Sequence, residues 1–207
     1  MGRLDRKSRM SGDVHVRFRE HPRGRFPRVT RLVVLCGGKV DEPLAAIRQV
    51  LDRLDLTLNE VKTQIVDARQ ESFNFLGFAI RMSKGLKTGK SYPHVCPSAK
   101  SLAKIKDRIK QLTGRERTPV PLEDIVKSVN DALRGWTGYF HYGNSSGAMD
   151  KVKTHAEERL RKHLMKRHQV KDRKIGEGRF PSQRLYTEYG LYKVTAKAAW
   201  KTAHASV

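Results

Sequence analysis

Hydrophobic positions change their spacing along the chain. Between residues 31 and 80, short apolar runs are separated by polar or glycine-containing segments, whereas after residue 97 apolar residues recur every three or four positions. Short apolar runs bounded by turn residues are typical of strands, and the longer spacing is typical of amphipathic helices. The pattern predicts an α+β fold in which strands come first and a set of helices follows.

The strand region contains one predicted helix. Residues 32–36 form an apolar, β-branched run that ends at two glycines, which predicts a buried strand. A helix is predicted over 41–55, with a proline in its first turn. Apolar runs within 56–66 predict two short strands, and 73–80 predicts a strand with a glycine bend. Residues 81–97 carry several breakers and predict a loop or an irregular hairpin.

Three amphipathic helices are predicted after residue 97. The first covers 99–113 behind a Ser98 cap, the second begins at 121 or 122 and runs to 140, and the third follows Ser145 or Ser146. Short connections between such helices predict a small bundle. The predicted buried positions are Leu102, Ile105, Ile109, Leu112, Ile125, Val126, Val129, Leu133, Trp136, Met149, Val152, Ala156, Leu160 and Leu164.

The charge of the chain is large and uneven. The formal net charge is +22, from 43 basic and 21 acidic residues. Residues 41–80 hold 4 basic and 7 acidic residues, whereas residues 81–207 hold 28 and 11. So large an excess on the predicted helices favours binding of a polyanion over a merely solvated surface.

Composition also indicates the cellular compartment of the protein. The two cysteines form no paired motif, and no apolar run approaches the length of a membrane span. These features predict a cytoplasmic protein without a membrane partner. Association with the nucleoid is compatible with this prediction. Residues 1–31 are rich in Arg and Gly without a sustained period and predict a disordered basic leader.

Several short motifs occur in a characteristic order. Asn59-x-x-Lys62-Thr63 precedes Phe73-Asn-Phe-Leu-Gly-Phe78, and Trp136-x-x-Tyr139-Phe140 precedes a Gly143-Asn144 turn and a basic helix. In this order the chain resembles group II intron-encoded reverse transcriptases/maturases. The resemblance implies that 32–97 is the C-terminal part of a truncated reverse-transcriptase palm. It also implies that 98–207 is the thumb and the maturase-specific domain X, an all-α bundle.

The resemblance assigns roles near the polymerase site. Lys62 would lie near the incoming nucleotide, and Phe75, Leu76 and Gly77 would form the turn that grips the primer. Hydrophobic packing explains Phe75 and Leu76 equally well, and Lys62 is expected to be a structural relic.

The metal-binding aspartates of the family have no counterpart here. Where the family has Tyr-x-Asp-Asp, this chain has residues 28–31, Arg-Val-Thr-Arg. Magnesium requires oxygen ligands, so no catalytic residue, no metal site and no cofactor is expected in this chain. Magnesium would be bound only if another chain supplied a complete palm. Whether the protein is an enzyme is left open by the sequence.

The helical region is expected to bind RNA. In the family it binds and stabilises the intron, and the RNA itself carries out splicing. The expected partner is group II intron RNA, with target DNA as a second candidate. The predicted RNA-binding residues, of which roughly half are expected to matter because phosphate contacts are distributed, are Lys100, Lys104, Arg108, Arg134, Arg159, Lys162, Lys166 and Arg167.

Other functions are weighed against this one. The alternatives are an RNA-directed DNA polymerase module that works only with upstream fingers and palm, and a degenerate fragment that binds nucleic acid without specificity. Trp136 and Tyr139 could stack on bases, but their apolar stripe favours the core. His155, Glu158 and His163 do not have a zinc-ligand spacing, which disfavours a metal site.

Overall fold

The structure, a computed structural model, describes residues 13–19, 31–36, 40–58 and 63–196. Helices follow strands, as the predicted α+β class requires. The described residues fall into two compact units, the first within 1–75 and 80–94, the second within 76–79 and 95–207. The strands are β1 Asp13–Arg19, β2 Arg31–Leu35, β3 Thr57–Leu58, β4 Gln64–Val66, β5 Phe73–Phe75, β6 Phe78–Lys84 and β7 Ser91–Pro97. The helices are α1 Asp41–Arg53, α2 Ala99–Leu112, α3 Leu122–Phe140, α4 Ser146–Arg167, α5 Arg173–Arg179 and α6 Ser182–Thr187.

The first unit is built around β1. This strand pairs antiparallel with β2, β3 and β4, and Asp13 lies opposite Leu35 in the first of these ladders. Residues 13–19 thus form a strand where a disordered leader was predicted. The sequence Asp-Val-His-Val-Arg-Phe-Arg alternates polar and apolar residues, and this period of two is a strand signal that the surrounding arginines concealed. Ile47 and Leu51 of α1 form the small core of this unit.

Strands β5, β6 and β7 form a three-stranded sheet in that order. The chain reverses between β5 and β6 at Leu76 and Gly77, which both have positive φ, 47° and 85°. Positive φ at two successive residues matches the turn that two-residue hairpins favour. The predicted single bent strand over 73–80 is therefore two strands. Of the two alternatives for 81–97 the hairpin is confirmed.

The second unit is a helical bundle. Helices α2 and α3 lie within two residues of their predicted ends, α4 begins where predicted, and the predicted apolar positions are buried or partly buried. Helix α3 continues through Gly135 and Gly138. A glycine costs a helix about 1 kcal/mol, whereas a fully buried leucine such as Leu133 contributes roughly 1.5–3 kcal/mol, so burial outweighs the glycines.

Two short helices complete the second unit and were not predicted. Helix α5 is capped by Asp172, whose side chain accepts a hydrogen bond from the Ile175 N–H, and α6 follows directly. Both are too short to show a repeated apolar stripe, but Phe180 and Leu185 are fully buried. No helix in the described part of the chain is long and apolar enough to cross a bilayer.

Candidate nucleic-acid interface

The turn at Leu76 and Gly77 is held by helices of the second unit. The Gly77 carbonyl accepts hydrogen bonds from the Ser98 N–H (2.8 Å) and from Ser101 Oγ (2.9 Å). The Leu76 carbonyl accepts one from Tyr139 Oη (3.0 Å). A Cβ added at Gly77 would lie 2.9 Å from Ser101 Oγ and 3.0 Å from Phe140 Cζ, so the close approach requires glycine. The start of α2 and the end of α3 therefore fix the turn.

Aromatic side chains surround this turn. The Phe78 ring lies 5.0 Å from that of Phe140, 5.7 Å from Tyr139 and 6.4 Å from Tyr142, measured between centroids. Tyr139 is 54% exposed and Tyr142 58% exposed, and Leu76 beside them is 51% exposed. The prediction that Tyr139 lies in the core was wrong, because Trp136 and Phe140 occupy the inner face of α3 and place Tyr139 at its edge. Exposed rings of this kind can stack on unpaired bases.

The predicted Gly143-Asn144 turn packs on the end of β7. The Asn144 N–H donates to the Val95 carbonyl at 2.6 Å, and the Val95 N–H donates to Asn144 Oδ1 at 3.4 Å. Gly143 has a φ of 63°, and a Cβ there would lie 2.6 Å from the Val95 carbonyl oxygen. This turn therefore fixes Tyr142, which precedes it, beside Phe78.

Helix α2 presents a basic face. Lys100, Lys104 and Arg108 recur every four residues, which places them on one side of the helix, and all three are exposed. The opposite side carries Ile105 and Ile109, which are buried in the bundle. The structure thus brings these three predicted RNA-binding residues together on an accessible surface.

The predicted cations of α4 divide into two kinds. Arg159 donates hydrogen bonds to the Lys110 carbonyl (3.2 Å), to Thr113 Oγ1 (3.2 Å) and to the Thr113 carbonyl (3.4 Å). Arg167 donates to the carbonyls of Thr118 (3.1 Å) and Val120 (2.7 Å). The two arginines therefore bind the end of α2 and the following segment to α4.

The lysines of α4 are placed differently. Lys162 and Lys166 are exposed and lie four residues apart, so they share one face of the helix. Arg134 on α3 is also exposed, and its guanidinium lies 5.4 Å from the centroid of the Tyr192 ring. RNA binding by all eight residues stays a prediction, but in this geometry the lysines are the more available cations of α4.

A groove that the sequence did not indicate lies beside the C-terminal end of α4. It encloses about 1130 Å³, and a smaller recess of about 220 Å³ is lined by some of the same residues. Arg115 and Lys171, both outside the predicted set, line the groove together with Lys166. The residues that line the groove or its recess are Thr113, Arg115, Glu116, Thr118, Pro119, Arg159, Lys162, Met165, Lys166, Gln169, Val170 and Lys171.

The surroundings of two histidines on α4 favour the neutral imidazole. Burial lowers the pKa of His163, and the nearby charges of Arg167 and Lys166 lower it further. Backbone groups of Thr113 and Gly114 lie near its ring and oppose this shift, but neither ring nitrogen forms a hydrogen bond within the described residues. Burial also lowers the pKa of His155, whose Nε2 is 3.1 Å from the Lys106 carbonyl oxygen. Among the described residues no three metal-ligating side chains come together.

The structure describes only some of the residues predicted near the polymerase site. Phe75 is partly buried at the end of β5, next to the turn formed by Leu76 and Gly77. Lys62 lies outside the described residues, as do residues 28–30 of the aspartate-equivalent segment. The structure therefore describes the turn but not the complete nucleotide-proximal set.

Comparison with known proteins finds a family match within the helical unit. Residues 102–179 match the family model described as the group II intron, maturase-specific domain. The match begins in α2, ends at the last residue of α5 and includes the groove beside α4. It supports a group II intron maturase. No curated protein matches the chain.

Proposed function

We propose that this protein binds group II intron RNA and stabilises its folded form, and that it assists splicing in this way. The observation that carries the proposal is the position of the maturase-specific match on the helices that present the cationic faces. Helix α2 supplies one such face and α4 another.

Binding of this kind follows from charge and stacking. Lysine and arginine side chains neutralise phosphates and release condensed counterions, which gives affinity that falls steeply with salt. Unpaired bases can stack on exposed rings such as those of Tyr139 and Tyr142. The intron RNA performs the transesterifications, so no side chain of this protein has to act as acid, base or nucleophile.

We assign residues 32–97 to the C-terminal part of a reverse-transcriptase palm and 98–207 to the thumb and domain X. Under this assignment Lys62 is a structural relic of the nucleotide-proximal site, and Phe75, Leu76 and Gly77 correspond to the turn that contacts the primer. Arginine cannot ligate magnesium, so residues 28–31 leave the chain unable to polymerise DNA by itself.

The test is binding of the purified chain to its neighbouring intron RNA across a salt series, with unrelated structured RNA as competitor. We expect specific binding that survives physiological salt, followed by faster or more complete splicing. Lys100→Ala/Lys104→Ala/Arg108→Ala should lower the slope of log affinity against log salt by about 0.7–0.9 for each phosphate that is no longer neutralised. The matched control is Lys127→Ala/Lys151→Ala/Lys174→Ala, which removes three exposed charges from other surfaces.

Two results would contradict the proposal. One is equal binding of intron and unrelated RNA, because generic charge would then explain the affinity. The other is specific binding without any effect on splicing.

A second function is favoured by the geometry of the Leu76-Gly77 turn. Helices α2 and α3 hold this turn with three hydrogen bonds, as a primer-contacting element of a polymerase would require. A polymerase module completed by an upstream chain would then show magnesium-dependent primer extension after mixing with a fingers-and-palm fragment. No extension by the mixture would leave RNA binding as the function of the chain.

A further inference from the structure

The groove beside the end of α4 has a mixed lining. Met165 and Val170 are only partly buried in the bundle and, with Pro119, give the groove an apolar part. Its volume of about 1130 Å³ slightly exceeds the range of roughly 300–1,000 Å³ that is usual for small-ligand pockets. It therefore has room for a short segment of an extended polymer.

The charged residues around this apolar part are nearly all cationic. Arg115, Lys166 and Lys171 line the groove, and Lys162 lines the adjoining recess. Glu116 is the one acidic residue in either lining, and its carboxylate lies against Gly114. The groove therefore complements a negatively charged chain that also carries flat apolar surfaces.

Gln169 in this groove adopts an unfavourable backbone conformation. Its φ is 57°, and the helix end is closed by hydrogen bonds from the Gln169 N–H to the Lys166 carbonyl and from the Val170 N–H to the Met165 carbonyl. Glycine is the residue that this kind of helix end prefers. Compared with glycine, a glutamine here makes the backbone less stable. Its side-chain amide lines the groove and can both donate and accept hydrogen bonds.

We propose that this groove binds an unpaired stretch of RNA. Bases lie on Met165, Val170 and Pro119, phosphates contact Arg115, Lys166 and Lys171, and the Gln169 amide bonds to a base edge. A duplex would offer only phosphates and sugars at such a site, whereas splayed bases use the apolar part as well. The inference rests on the proposed function for its choice of RNA and adds which form of RNA this site selects.

The experiment uses the full chain and two probes, a ten-nucleotide oligouridylate containing 4-thiouridine and a ten-base-pair RNA duplex. We expect the single strand to bind more tightly than the duplex and to crosslink within residues 165–171. Arg115→Ala/Lys171→Ala should lower the slope of log affinity against log salt for the single strand by about 1.4. This value assumes that two phosphate contacts are lost and that each contributes about 0.7 to the slope. Lys127→Ala/Lys151→Ala, which removes the same charge elsewhere, should leave the crosslink and the preference for the single strand unchanged.

Gln169→Gly separates binding from folding. Because glycine suits the helix end, this variant should unfold at higher denaturant concentration than the wild type. It should nevertheless bind the single strand roughly fivefold more weakly, the size expected for removal of one hydrogen bond. Weaker binding by a more stable protein cannot be attributed to misfolding.

The outcomes separate this inference from the proposed function. Equal binding of single strand and duplex, or crosslinks confined to residues outside 113–119 and 159–171, would overturn the groove while specific intron binding could still stand. Crosslinks at 165–171 in a chain that does not distinguish intron from unrelated RNA would support the groove and overturn the maturase function.

Discussion

Asn130 on α3 forms two hydrogen bonds with the backbone around Tyr192. Its Oδ1 accepts from the Tyr192 N–H at 2.7 Å, and its Nδ2 donates to the Gly190 carbonyl at 2.8 Å. Asn130 is buried, and Leu191 between the two partners is buried as well. One amide therefore docks the segment after α6 onto the bundle.

Removal of this amide should destabilise the helical unit. Asn130→Leu removes both hydrogen bonds, which are partly buried, and each contributes about 0.5–1.5 kcal/mol. We expect a decrease of about 1–3 kcal/mol in the free energy of unfolding, measured by urea denaturation followed by circular dichroism. Asp131→Ala, an exposed neighbour, should change it by less than about 0.5 kcal/mol. An equally stable Asn130→Leu variant would show that the segment is not docked in this way.

The cations of α4 should separate into structural and RNA-binding groups. Arg167→Ala removes the donors to the Thr118 and Val120 carbonyls and should cost about 1–3 kcal/mol of unfolding free energy. Lys166→Ala should cost less than about 0.5 kcal/mol but should lower the salt slope of RNA binding by about 0.7–0.9. Thermal melts and binding titrations of both variants test this, and the reverse pattern would show that the lysine is structural.

The turn at Gly77 should reject any side chain. Gly77→Ala combines a positive φ with a Cβ only 2.9 Å from Ser101 Oγ, so we expect destabilisation by about 2 kcal/mol or more. Gly89→Ala is the matched control, because its φ is also positive, 63°, but nothing lies within 4 Å of the added Cβ. It should cost only about 1 kcal/mol from backbone strain. Equal destabilisation of the two variants, measured by urea denaturation, would mean that the close approach to Ser101 and Phe140 is unimportant.

Stability should fall as the pH is lowered below the usual pKa of histidine. Burial lowers the pKa of His163 in the folded protein, so the unfolded chain binds a proton that the folded chain does not. The free energy of unfolding is therefore highest above the unfolded pKa of about 6.5 and decreases as the pH falls toward the folded value. His155 acts in the same direction, because burial lowers its pKa as well.

His163→Leu should remove part of this pH dependence. The variant lacks a group that protonates on unfolding, so its unfolding free energy should change less between about pH 7 and about pH 5.5 than that of the wild type. Parallel profiles for wild type and His163→Leu would show that His163 protonates without cost in the folded state.

Local sequence patterns predicted the longer helices and several of the strands, but tertiary contacts determined the site. The stripe of Ile105, Ile109 and Leu112 on α2 follows from one period along one helix, and so it could be predicted. The roles of Arg159 and Arg167 could not, because the groups that they bind lie 46 to 49 residues earlier in the chain. Before folding, these arginines look the same as the exposed lysines beside them.

The groove illustrates the same limit. Arg115 and Lys171 belong to segments without a regular hydrophobic period, and they share a lining only because α4 packs against the segment after α2. Nothing within either segment marks this proximity. By contrast, the Ser98 cap was predicted, because its side chain accepts from the Ser101 N–H three residues later. The Gly143-Asn144 turn was expected only from the family resemblance.

Residues 76–79, which form the tip of the β5–β6 hairpin, belong to the second, helical unit. The residues on either side of this tip, up to 75 and from 80 to 94, belong to the first unit. The backbone consequently passes between the two units three times, after residues 75, 79 and 94. A helical fragment beginning at Val95 would lack the carbonyls that Ser98, Ser101 and Tyr139 bind, and Phe140 would have no Phe78 ring beside it. Residues 76–79 thus bind the bundle as a peptide ligand would. A synthetic peptide that covers them should restore stability to such a fragment when it is added as a separate molecule.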